Sequence, residues 1–153
     1  MKICFLDNSI IPYTYNDLNS KNIRGGENAI IHLSNELSKL GNEIVVYNNC
    51  KDSCVINDVK WFNISHANKN LTYDIAFTNN DIKLFDKIIA KKYVAFSRSI
   101  QSIEKFIRKH QLISYLKYKP KIVILGNYHK KNRNYLLKMF GIINLQWAVD
   151  PLF

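Results

Sequence analysis

The sequence predicts a Rossmann-like α/β fold, a doubly wound and mostly parallel sheet of about six to seven strands with helices on both faces. Short apolar runs alternate with helix-length amphipathic segments along the chain, which is typical of this class. The first strand, helix and second strand fit within about 45 residues, the size of a unit whose two strands run parallel. With 153 residues and 47% hydrophobic content, the chain suits a single domain over residues 1–153.

The first predicted unit extends to residue 49. Residues 3–6 (ICFL) form an apolar run that ends in polar turn formers, as a buried strand does. A helix follows, because apolar residues recur at helical spacing and a C-cap glycine comes after them: Ile30, Leu33, Leu37, Leu40 and Gly41. Residues 43–49 (EIVVYNN) give the second buried strand.

The later elements are shorter. Further strands are predicted over residues 59–64, 73–78, 93–96, 121–125 and 142–149. A helix is expected to begin at Asp81, with its apolar face formed by Ile82, Phe85, Ile88 and Ile89. Two more helices are predicted from about residue 100 and over residues 132–140.

Several classes of protein are disfavoured by composition and motifs. No stretch approaches the roughly 20 apolar residues that cross a bilayer, so a cytoplasmic protein is expected. Three cysteines, with one CKDSC segment and no second ligand pair, predict reduced thiols and no metal site. The glycine motifs of P-loop and dinucleotide-binding proteins are absent, and no cofactor is expected.

The net charge of +10 is concentrated in one half of the chain. Residues 1–80 carry 7 Lys and Arg against 8 Asp and Glu, whereas residues 81–138 carry 15 against 3. The basic half predicts an anionic partner, either nucleic acid, a phosphorylated ligand or a membrane surface. A compositional bias towards Lys, Asn and Ile with well-solvated helix faces explains the same charge without a partner.

The segment NIRGGENAIIHL is the sharpest site signal. Ligands of an open α/β sheet bind beyond the carboxyl ends of its strands, where this segment is expected to lie. Gly25 and Gly26 allow close backbone approach at a helix N-terminus, whose partial positive charge suits phosphate, and Arg24 adds a full charge. With Glu27 they form the predicted substrate- and phosphate-binding group. The alternative is a loop that needs positive φ or tight packing against the sheet.

Other predicted strand ends supply the remaining candidates. Binding candidates at these ends are Asn79, Asn80, Asn127 and Tyr128. Catalytic candidates are Ser97, Arg98 and His129. The four histidines show no metal-ligand spacing, and no serine or cysteine lies in a nucleophile motif, so any catalysis is expected to rest on positioning and electrostatics.

The order of motifs resembles the N-terminal domain of GT-B glycosyltransferases of the retaining, glycogen-synthase-like superfamily. The similar segments are KICFLD, RGGEN, GNEIVVY, YDIAF, KIVILGNYHKKNRNYLLKMFGI and INLQWAVDPLF, which together span nearly the whole chain. In VAFSRSIQS, Ser97 and Arg98 stand where the family has a histidine, so the catalytic residues stay unassigned.

The resemblance implies an acceptor-side domain that lines a cleft with Gly25 and Gly26. Its donor would be a nucleotide-sugar, and its acceptor would be a glycan or a lipid-linked molecule. If the protein is peripheral to a membrane, the resemblance implies that it lies at the inner face of an anionic membrane. The family's second domain carries two glutamates with seven residues between them, and no glutamates here have that spacing. The chain alone is therefore expected to lack transferase activity and to need a C-terminal donor-binding domain or a partner chain. A basic nucleic-acid-binding α/β module is the alternative, disfavoured because most aromatics of the basic half fall at core positions.

Overall fold

A computed structural model describes residues 1–79, 81–97, 111–125 and 140–145 of the chain. Within these residues, eight strands form one sheet: β1 (Lys2–Leu6), β2 (Glu43–Asn48), β3 (Cys54–Ile56), β4 (Val59–Asn63), β5 (Thr72–Asn79), β6 (Ile89–Ser97), β7 (Lys121–Leu125) and β8 (Ile142–Leu145). Their order across the sheet is β3-β4-β2-β1-β5-β6-β7-β8. The α-helices described are α1 (Gly25–Lys39) and α2 (Leu112–Tyr118), and 3-10 helices lie at Tyr15–Asp17, Ile64–His66 and Ile82–Lys87.

The predicted doubly wound, Rossmann-like fold is wrong. The sheet has eight strands and is mixed, because β3 pairs antiparallel with β4 while the other pairings are parallel. The helix expected after Asp81 is a six-residue 3-10 helix, so no α-helix connects β5 to β6. Ile89, assigned to the apolar face of that helix, instead begins β6. Adjacent β-branched isoleucines favour extended backbone over helix, which explains the early end of the helical segment.

β3, which was not predicted from the sequence, belongs to a hairpin. β3 pairs with the start of β4 so that Ile56 is opposite Val59, which leaves a two-residue connection. Both connecting residues have positive φ, 52° at Asn57 and 60° at Asp58. Two-residue hairpin turns of this kind need φ above zero at both positions, and Asn and Asp accept it more readily than most residues.

Two hydrophobic clusters lie on opposite faces of the sheet. Along β1, Ile3 and Phe5 join one cluster, whereas Cys4 and Leu6 join the other, as the two-residue period of a strand requires. α1 packs on the first face through Ile30 and Ile31. The second face is covered by Phe85 of the last 3-10 helix and Tyr115 of α2, among others.

The first predicted unit is present as β1, α1 and β2. β1 lies between β2 and β5 and is parallel to both, so the three strands end at the same border of the sheet. We call this border the carboxyl edge. Among the helices described, none is long and apolar enough to span a membrane.

Candidate functional site

The loop that leaves β1 is anchored by a buried carboxylate. Asp7 is 2% exposed, and its Oδ2 accepts a 2.8 Å hydrogen bond from the hydroxyl of Tyr13. The backbone N–H of Ser9 donates to Oδ1 of the same carboxylate at 3.3 Å. Asn48, at the end of β2, donates to the backbone carbonyl of Tyr13 at 2.6 Å. Burial, followed by the negative charge of Asp7, raises the pKa of Tyr13 well above its usual range.

Ser9 connects the end of β1 to the first turn of α1. Its hydroxyl donates to Oε1 of Glu27, a side chain that is only 4% exposed. The other carboxylate oxygen, Oε2, is buried and has no hydrogen-bond partner among the described residues. A buried acceptor without a donor costs free energy, so a bound molecule that donates a hydrogen bond to Oε2 would be stabilised there.

The paired glycines begin α1 at the same edge. Gly25 is exposed and Gly26 is buried. A Cβ on Gly25 would meet no atom within 4 Å, and neither glycine of the pair has the positive φ that Gly41 shows at +78°. Positive φ therefore does not explain the pair. The first backbone N–H groups of an α-helix have no partner within the helix, and the Arg24 side chain does not cap them.

Asn8 links the loop after β1 to the end of β5. Its Nδ2 donates to Oδ2 of Asp81 at 2.8 Å, while Oδ1 of Asp81 accepts from the backbone N–H of Lys83 at 3.1 Å. The hydroxyl of Thr78 donates to the backbone carbonyl of Asp81 at 2.9 Å. These bonds hold the polar ends of β1 and β5 together at the carboxyl edge.

The predicted site residues fall into two groups. Those placed at the carboxyl edge are Arg24, Gly25, Gly26, Glu27, Asn79 and Ser97. Asn79 ends β5 and pairs with Phe96, and Ser97 is the next and last residue of β6. Outside the described residues lie Asn80, Arg98, Asn127, Tyr128 and His129.

Three polar residues at this edge were not singled out from the sequence: Asp7, Ser9 and Asp81. The sequence placed Asp7 and Ser9 among the turn formers after β1 and Asp81 at a helix cap. Their position directly after buried strands was the available signal, since those strands end at the site.

Three carboxylates of the described residues lie at the carboxyl edge. Asp7, Glu27 and Asp81 all contribute to the hydrogen bonds described above, and Arg24 lies at the N-cap of α1. In the part of the chain that the structure describes, no three His, Cys, Asp or Glu side chains are grouped so that they could hold a metal ion. Carboxylates, amides and hydroxyls in this arrangement suit hydrogen bonding to a polyhydroxylated ligand.

Comparison with protein-family models, with curated proteins and with solved structures gave no match. The basis for a functional proposal is thus the chemistry of the carboxyl edge together with the sequence motifs that lie there.

Proposed function

We propose that this chain is the acceptor-side half of a glycosyltransferase, which transfers a sugar from a nucleotide-sugar to a glycan or lipid-linked acceptor in the cytoplasm. The observation that carries the proposal is the buried, unpartnered Oε2 of Glu27, next to the helix start that the paired glycines form. The RGGEN motif that resembles the glycosyltransferase loop is the segment that supplies both features.

Glu27 favours a hydroxyl over a phosphate as its direct partner. A carboxylate accepts hydrogen bonds and repels an anion, and this repulsion is strong where burial lowers the effective dielectric constant. Sugar hydroxyls are neutral donors that match Oε2. We therefore assign Glu27 to a sugar hydroxyl, which refines the sequence-based assignment to a phosphate or substrate group.

The start of α1 suits the donor phosphates better than Glu27 does. Gly25 faces open space, and the unpaired N–H groups of a helix N-terminus attract anions. Arg24 is exposed at the N-cap and adds a positive charge. A nucleotide-sugar would thus place its phosphates near Arg24 and Gly25 and a sugar hydroxyl near Glu27. The 153-residue chain makes this part of the donor contact by itself, while a C-terminal domain or a partner chain would hold the rest of the donor.

The fold gives this proposal no support of its own. The sheet is mixed and not doubly wound, unlike the fold that the family resemblance implies. Fold alone does not determine function in any case, so the proposal depends on the site residues and the motifs.

Replacing Glu27 with glutamine is expected to weaken binding of nucleotide-sugars about tenfold or more, because hydrogen bonds to a charged acceptor are stronger than neutral ones. Glutamine keeps the size of the side chain and an oxygen that can accept from Ser9. The measurement is saturation-transfer NMR with the 153-residue chain and UDP-glucose or GDP-mannose as probes.

Glu36→Gln is the matched control, since Glu36 lies on the same helix but is exposed. This variant should bind the probes as the unchanged chain does. Equal affinity for the Glu27→Gln variant, or no binding of either probe to the unchanged chain, would contradict the proposed function.

A further inference from the structure

The opposite border of the sheet, where the parallel strands begin, carries a concentration of lysines. We call it the basic edge and define it by five exposed residues: Lys69, Lys87, Lys91, Lys117 and Lys119. They lie just before β5, before and within β6, and at and just after the end of α2. The ion pair between Lys117 and Asp86, which lies just before β6, places the last turn of α2 near this border.

Two carboxylates at the basic edge are each engaged by a lysine. Nζ of Lys91 is 2.7 Å from Oδ1 of Asp74, and Nζ of Lys117 is 2.5 Å from Oδ1 of Asp86. The second ion pair joins α2, which carries Lys117, to the 3-10 helix that carries Asp86 and Lys87. No ion pair involves Lys69, Lys87 or Lys119 within the described ranges. The edge therefore retains a positive charge that its own carboxylates do not neutralise.

Exposed aliphatic side chains accompany these lysines. Ile89 is 44% exposed at the start of β6, and Leu71, which precedes its pairing partner Thr72, is 42% exposed. Lysines around exposed aliphatic groups are typical of surfaces that bind at the interface of anionic bilayers, where charge attraction and partial apolar insertion combine.

The aromatic residues nearby point to lipid in preference to nucleic acid. Phe85, Tyr93 and Tyr118 pack against one another, with ring centroids 4.8 to 5.6 Å apart. All three belong to the hydrophobic cluster on the second face of the sheet or pack against it. Single-stranded nucleic acid is bound by aromatic rings that stack on bases, and these three rings are engaged with one another instead.

We propose that the basic edge docks on the surface of an anionic phospholipid membrane. The lysines attract the headgroups, while Ile89 and Leu71 enter the interfacial layer. The carboxyl edge lies at the other end of the strands, so docking leaves the candidate sugar site facing away from the membrane, where a glycan reaches it and a lipid-linked acceptor does not. This proposal is independent of the glycosyltransferase assignment, because none of its residues belongs to that site.

Co-sedimentation with vesicles tests the docking surface. The 153-residue chain should bind vesicles of phosphatidylcholine with phosphatidylserine, fail to bind pure phosphatidylcholine, and dissociate as salt is raised. The Lys87→Glu/Lys119→Glu variant is expected to bind at least about tenfold more weakly, given the contribution of each basic residue near such a surface. Ile89→Ser should weaken binding further without changing its dependence on salt.

Lys21→Glu/Lys51→Glu is the charge-matched control, since both lysines are exposed and lie outside the basic edge. Val55→Ser is the control for Ile89, because Val55 is 65% exposed on β3 at the far side of the sheet. Equal losses in the two lysine variants would show a general charge effect and overturn the proposal. Absence of vesicle binding by the unchanged chain would also overturn the proposal. The same holds if the unchanged chain and the control variants bind a single-stranded oligonucleotide and only the basic-edge variant does not.

Discussion

The free energy of unfolding is expected to fall by at least about 4 kcal/mol between about pH 9 and about pH 11, because three buried tyrosines must stay neutral in the folded chain. The Cys4 thiol, whose pKa burial also raises, adds to this fall. Burial is the main reason that the pKa of Tyr13, Tyr73 and Tyr115 lies well above the usual value near 10. Their phenols ionise in the unfolded chain first, so unfolding releases protons and becomes easier as the pH rises. Each tyrosine contributes about 1.4 kcal/mol to the fall.

Urea unfolding followed at several alkaline pH values measures this fall. Tyr73→Phe and Tyr115→Phe should each reduce it by about 1.4 kcal/mol, since each removes one ionising group. Tyr73→Phe is also expected to lower stability at neutral pH, because the hydroxyls of Tyr73 and Tyr47 are hydrogen-bonded at 2.9 Å in the core. A fall of less than about 1.4 kcal/mol, or one unchanged in both variants, would contradict the burial of these phenols.

Replacing Tyr13 with alanine is expected to lower the free energy of unfolding by about 3–5 kcal/mol, the usual cost of removing a large buried aromatic side chain. Tyr13 is 1% exposed, and its ring meets the edge of Trp61 at a centroid distance of 6.1 Å. Its hydroxyl also anchors the loop after β1 through Asp7. Urea unfolding measures the loss, and the same variant should weaken probe binding because this loop carries Ser9.

Two substitutions separate the contributions of Tyr13. Tyr13→Phe keeps the ring and removes the hydrogen bond to Asp7, for an expected loss of about 1–3 kcal/mol. Ile10→Ala lies in the same loop at a side chain that is 93% exposed, and should leave stability unchanged. If Tyr13→Ala were no more destabilising than Ile10→Ala, the loop would not be anchored as described.

The local periodicity of the sequence was sufficient for the first unit of the fold. Apolar residues at helical spacing and a following glycine correctly predicted α1, which ends at Lys39 before Gly41. Leu40, assigned to the apolar face of this helix, was wrong, because it lies just beyond the helix and is 76% exposed. The apolar runs of β1 and β2 were equally clear, because both strands are buried on both faces. Local pattern thus predicts elements whose apolar residues are spaced regularly and whose ends are marked.

The errors arose where contacts distant in sequence decide the structure. Tyr13 lies in a long polar loop, and only its contacts with Asp7, Asn48 and Trp61 show that it belongs to the core. The hairpin of β3 and β4 depends on a two-residue turn, and β3 is too short for a periodic signal. The segment after Asp81 fits a helical period over a few residues. The chain from Ile89 onward is nevertheless part of the sheet, because Ile89 pairs with Thr72 of β5.

The candidate site was predicted only in part, because some of its contacts also join residues that are distant in sequence. Gly25, Gly26 and Glu27 were found because they form a compact motif at a helix start. Ser9 was missed as a site residue because its hydrogen bond to Glu27 joins positions 18 residues apart. The unpartnered oxygen of Glu27 is a property of packing that no local motif records.

The central claim is that the carboxyl edge binds a nucleotide-sugar. The most direct measurement is a titration of the isotope-labelled 153-residue chain with UDP-glucose, followed by amide chemical shifts in two-dimensional NMR spectra. We predict shifts concentrated at Ser9, Gly25, Gly26 and Asn79, with those of Ser9 lost in the Glu27→Gln variant. Shifts confined to the basic edge, for example at Lys87 and Lys91, or no shifts at all, would contradict the claim.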